Sequence, residues 1–166
     1  MREVIANAID QLCSAFEKHG YNPTPVIDVG VLVLSADGKV DERERGMLLD
    51  VFQTLLNTTL TAEVVDHLVT ASLDVIEAAG AESRARLVAE ILKDCDAVEP
   101  GVRVALALAF ASQGLTKLER AVVERISDAG GLSRARLAEL EEEVRAHADV
   151  DPESTRMSIV PSRPGA

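Results

Sequence analysis

The chain has 166 residues, enough for one compact domain with a real core, and 47% of them are hydrophobic. Aromatics make up only 2%, so the core has to be built from Ala, Val, Leu and Ile, and that palette at helical spacing predicts an all-α fold. A formal charge of −11 and a pI near 4.7 argue against nucleic acid, whose phosphates an acidic surface repels, and favour divalent cations or a basic protein partner.

Eight helices follow from periodicity and punctuation. The first shows Val4, Ile5, Ile9, Leu12 and Phe16 on one face and stops at Gly20. After Pro23 and Pro25 comes a wholly apolar second helix, from about Val26 to Ala36. The third starts at Asp41 and repeats Met47, Leu48, Val51, Phe52, Leu55 and Leu56. Thr61 caps the fourth, whose face is Val64, Val65, Leu68, Val69, Leu73 and Ile76, and Gly80 ends it. The fifth carries Leu87, Val88, Ile91, Leu92 and Cys95. Pro100-Gly101 precedes a second apolar helix, Val102 to Ser112. The seventh runs from Thr116 through Val122, Val123 and Ile126 to Gly130-Gly131, and Ser133 caps the eighth, which continues towards His147.

These elements predict a single-domain bundle over residues 1–148. A tail follows at 149–166, where three prolines and small polar residues break every period and predict disorder. The N-terminus lacks the apolar core of a signal peptide, and the runs Val29–Leu34 and Val104–Ala111 fall short of the roughly 20 residues of a membrane span. The expected location is the cytoplasm, with Cys13 and Cys95 as buried reduced thiols.

An internal repeat organises the bundle. The second helix and its Asp37-Gly38 turn align with the sixth helix and Gln113-Gly114. Leu34 falls opposite Phe110, and Gly38 opposite Gly114. The second turn is one residue shorter, after which Asp41 matches Thr116 and Glu44 matches Glu119. The duplication implies two halves related by a pseudo-twofold, with the apolar helices crossing at the centre. Ser83-Arg84-Ala85-Arg86-Leu87 also echoes Ser133-Arg134-Ala135-Arg136-Leu137, as two similar helix starts.

The turn from Ser35 to Glu44 is the main candidate site. Asp41 and Glu44 have capping-box spacing, as do Thr116 and Glu119, and this local reading needs no ligand. The same residues also match the second half of a calcium loop: an acid, Gly38, a hydrophobe two positions on, and a glutamate six after the glycine. The first half fails, because Val33 stands at the leading acidic position and Ser35 at the third. A hard cation takes about six oxygens, of which this turn offers about three or four. Asp37, Asp41 and Glu44 are therefore read as part of a weak divalent-cation site for Ca²⁺ or Mg²⁺, finished by water or by acids such as Asp28, Asp66 or Asp74.

The apolar helix ending in Ser35-Ala36-Asp37-Gly38, the capped start ending at Glu44, and the later Leu108-Ala109-Phe110-Ala111-Ser112-Gln113-Gly114-Leu115-Thr116-Lys117-Leu118-Glu119 resemble the TerB-like domains of tellurite-resistance proteins, over roughly residues 25 to 145. The resemblance implies an all-helical domain of two related halves whose acidic residues are proposed to bind metal. It also implies a non-enzymatic scaffold in stress-response complexes, some of them peripheral to the inner membrane. Carried over by position, it assigns Asp37, Gly38 and Glu44; in the second half Gln113 departs from the acidic pattern and Glu119 keeps it.

The remaining candidates read as structural. Asp94-Cys95-Asp96 with Glu99 is a solvated loop, and Glu139, Glu141, Glu142 and Glu143 form a solvated face with Glu141 and Arg145 spaced for an ion pair. No nucleophile pattern or phosphate loop occurs, so the chain is read as not an enzyme. Two rivals remain: a metal-independent interaction domain with a basic partner, and a helical enzyme, which would need a pocket near Asp28 or His67.

Overall fold

In a computed structural model of the chain, residues 2–22, 24–55 and 61–150 are described, and among them the structure is entirely helical. The helices are α1 (Arg2–Lys18), α2 (Thr24–Leu34), α3 (Glu42–Leu55), α4 (Ala62–Ala79), α5 (Ala81–Asp94), α6 (Val98–Ser112), α7 (Lys117–Ala129) and α8 (Arg134–Val150). All eight expected helices are present. None is long and apolar enough to cross a membrane. Of the expected tail, Asp149 and Val150 belong to α8 and the rest lies outside the described residues, as does Leu56 of the expected third helix.

The two apolar helices are the centre of the molecule. Every residue from Pro25 to Leu34 in α2 is buried, and in α6 so is nearly every residue from Gly101 to Ala109. A helix apolar on all sides has to be enclosed. Here α6 packs against α1, α2, α7 and α8, while α2 packs against α4, α5 and α6. Gly30 permits a close approach: a β-carbon there would sit 2.9 Å from Phe52 Cζ and 3.0 Å from Leu108 Cδ1. Phe16 and Phe52 are fully buried, and the rest of the core is aliphatic.

Some helix starts differ from the sequence reading. Thr24 and Pro25 already belong to α2, and α6 begins at Val98, with Pro100 and Gly101 inside its first turn. A proline is tolerated there because the first-turn N–H groups have no helical acceptor to lose. Gly101 has its own reason to be in the helix, since a β-carbon would meet Leu92 Cδ1 at 2.7 Å. The serine echo also divides: Ser133 accepts from the Arg136 N–H at the start of α8, whereas Ser83 lies within α5, which starts directly after Gly80.

The glutamates of α8 are a correction too. Glu141 is buried, not solvated: Arg120 of α7 donates to both of its oxygens, at 2.6 and 2.7 Å, and Arg145 donates to it from one turn away at 2.7 Å. Glu143 pairs with Arg103 of α6, and Arg136 bridges Glu99, Glu139 and Glu143. This face is held to α6 and α7 by charge, with Arg145 also resting 5.6 Å from the Phe110 ring centre.

Candidate functional site

Each apolar helix ends in a short turn with a glycine in the left-handed region, Gly38 at φ 106° and Gly114 at φ 90°. A side chain is strained there, which is why glycine recurs at both places. Each turn then feeds a capped helix. In the first, the Glu44 N–H donates to Asp41 Oδ1 at 2.7 Å and the Asp41 N–H donates back to Glu44 Oε2 at 3.0 Å. In the second, the Glu119 N–H donates to Thr116 Oγ1 at 3.2 Å and the Thr116 N–H donates to Glu119 Oε2 at 2.9 Å. The capping reading of both turns is correct in atomic detail.

The two turns meet. Leu34, Asp37, Asp41 and Glu44 from one side and Gln113, Thr116 and Glu119 from the other line a single cleft of about 90 Å³. Glu44 and Glu119, 9% and 7% exposed, are its buried carboxylates; Asp37, Asp41, Gln113 and Thr116 are exposed at its mouth. The α3 end of the cleft is tied to α6: Arg43 donates to the Ser112 carbonyl at 3.0 Å, and the Ser112 hydroxyl donates to Glu44 Oε1 at 3.4 Å. Asp37 accepts the Lys39 N–H at 3.2 Å, a local turn bond.

Charge in the cleft is unbalanced. Among the described residues, none of the ion pairs involves Asp37, Asp41, Glu44 or Glu119. Burial raises the Glu44 carboxyl above its ordinary value, and the neighbouring charges of Asp41 and Asp37 push the same way against the Asp41 N–H and the Ser112 hydroxyl. The donor set is wholly oxygen, the chemistry of a hard cation. At the same time, among the described residues no three His, Cys, Asp or Glu side chains are grouped to hold a metal ion directly. The volume of the cleft leaves room for about three waters.

The three acids proposed to complete the turn are elsewhere. Asp28 accepts from the Ser72 hydroxyl at 2.6 Å and from Arg84 at 2.8 Å, inside the α2–α4–α5 interface. Arg45 takes up Asp66 at 2.7 Å and holds its carboxyl below the usual range. Asp74 lies on the exposed side of α4 and is no part of the cleft lining. The residues that join the turn are Gln113, Thr116 and Glu119, and the signal for them was the repeat itself, since they align with Asp37, Asp41 and Glu44. Elsewhere, burial and the charges of Asp94 and Asp96 raise the Cys95 thiol, as burial and Asp10 raise that of Cys13, which keeps both in the unreactive form.

No protein-family model, curated protein or solved structure matches this chain.

Proposed function

We propose that the protein is a non-enzymatic binding module of the TerB-like kind, a scaffold in a cytoplasmic stress-response system of the tellurite-resistance type, and that the cleft between its two turns binds a divalent cation weakly. One observation carries the reading: two turns seventy-odd residues apart in sequence contribute six oxygen-bearing side chains to one cleft, four of them carboxylates with no basic partner among the described residues. Six is about the number of oxygens a hard cation takes, against the three or four of the first turn alone. Among the described residues no three acids are grouped to chelate an ion directly, so a Ca²⁺ or Mg²⁺ held here keeps several waters and binds weakly. Duplication of a helix–turn–helix accounts for both halves of the cleft, with Gln113 and Thr116 standing where the first copy has acids.

Isothermal titration with Ca²⁺, Mg²⁺, Mn²⁺ and Zn²⁺ tests this. The expected result is a binding heat for Ca²⁺ or Mg²⁺ that disappears in an Asp37→Ala/Glu44→Ala variant and weakens in Glu119→Gln. Identical heats for wild type and the double variant would reject the site. A second reading is favoured by the lack of a tight chelating group: the ammonium or guanidinium of a partner protein occupies the same cleft, in which case no metal heat is seen and the acids matter only for the partner.

A further inference from the structure

Helix α4 carries an apolar stripe that the described residues leave uncovered except at Leu68, which leans partly on the core. At 3.6 residues per turn, Val64, Leu68, Ala71, Val75 and Ala78 fall within an arc of about 80°, turned away from the buried Val65, Val69 and Ser72 of the same helix. Val64 is 40% and Val75 39% exposed, Ala71 and Ala78 are exposed, and Leu68 is half-buried. Along one side of the stripe run Asp74, Glu63 and Glu77, all exposed, and α4 has no lysine or arginine. This is the i, i+4, i+7 pattern of a helix that receives another helix.

The occupant follows from charge and area. A second copy would bring an identical acidic border against this one, in a chain already at −11. The stripe on an 18-residue helix offers roughly 300 Å², well below the approximately 800 Å² per partner of a stable specific interface between globular proteins. It is wide enough for one helix. We infer that α4 docks an amphipathic helix of a partner protein, with small and aliphatic residues along its seam and lysine or arginine beside them facing Glu63, Asp74 and Glu77. The inference rests on the reading of the chain as a binding module, but it uses a different surface from the acidic cleft.

The test uses the full chain and two fluorescent 18-residue helical peptides with the same leucine and alanine seam, one flanked by lysines and one by glutamates. Binding is followed by anisotropy at low and at physiological salt, in EDTA. The lysine peptide is expected to bind, more weakly as salt rises, and at least tenfold more tightly than the glutamate peptide. A Val64→Ser/Val75→Ser variant, whose changes are at exposed positions, is expected to weaken it at least tenfold with an unchanged thermal melt, while Asp37→Ala/Glu44→Ala binds it as wild type does. No binding, equal binding of both peptides, or indifference to Val64→Ser/Val75→Ser would overturn the proposal. Loss of binding in the Asp37→Ala/Glu44→Ala variant alone would move the partner to the cleft and overturn it as well. A wild-type dimer in sedimentation that Val64→Ser/Val75→Ser dissolves would replace the partner helix by a second copy.

Discussion

Asp28 is the one charged residue in the apolar α2, 5% exposed, and it is tolerated because Ser72 and Arg84 each satisfy one of its oxygens. Removing one partner of a buried pair strands the other charge, which is worse than never having had either. Arg84→Met is therefore expected to lower unfolding stability by about 2–3 kcal/mol, the low end because its side chain is 22% exposed. Adding Asp28→Asn to that variant restores most of the loss, since no charge is then left buried. Urea denaturation of both variants checks the pair. Glu141 gives a pH counterpart. Hydrogen bonds from Arg120, supported by the charges of Arg120 and Arg145, hold its carboxyl below the ordinary glutamate value of about 4.3. A carboxyl lowered on folding adds stability that is complete above the unfolded value and is lost as pH falls through the folded one. The difference in melting temperature between wild type and Glu141→Gln is thus expected to be constant near neutrality and to shrink below about pH 4.3. A difference that persists at low pH would mean that packing, not charge, is what Glu141 supplies.

The helices that frame the cleft separate capping from ligand binding. Asp41 caps α3 as Thr116 caps α7, so Asp41→Ala and Thr116→Ala are each expected to cost about 1 kcal/mol in thermal or urea unfolding. Asp41→Asn keeps an acceptor and is expected to leave stability within about half a kcal/mol while weakening the cation heat. A loss of stability in Asp41→Asn with the cation heat unchanged would mean that the charge serves the helix and not the ion. This is also where the sequence was most legible. Caps and glycine turns are local chemistry, so Asp41, Glu44, Thr116 and Glu119 were readable from spacing alone. What spacing does not contain is which surfaces meet: Asp28 looked like a spare ligand until Arg84 and Ser72 reached it from α5 and α4, and Glu141 looked solvated until Arg120 came across from α7. The start of α6 was missed for a similar reason, because Pro100 and Gly101 read as a break until Leu92 packs against Gly101.

At the scale of the whole molecule, the cleft lies where the two central helices release the chain, so any ion held there touches the α2–α3 turn and the α6–α7 turn at once. Among the described residues, side-chain hydrogen bonds tie the start of α3 to the end of α6 through Arg43 and Glu44 to Ser112. An ion on the carboxylates of both would lower their mutual repulsion and add a second tie, but only in the folded state, because the unfolded chain separates Asp37 from Glu119 by more than eighty positions. Binding to the native state alone stabilises by RT ln(1 + [L]/Kd), about 1.4 kcal/mol at ten times Kd. For a chain of this size that is a rise in melting temperature of about 3–6 °C. Calorimetric melts in Ca²⁺ or Mg²⁺ should show that rise over matched NaCl, and EDTA should remove it. Asp37→Ala/Glu44→Ala should melt at one temperature whatever the divalent ion. Glu119→Gln decides whether both halves take part: if the rise is unchanged, the ion sits on the first turn alone, and the second copy contributes a helix cap and nothing more.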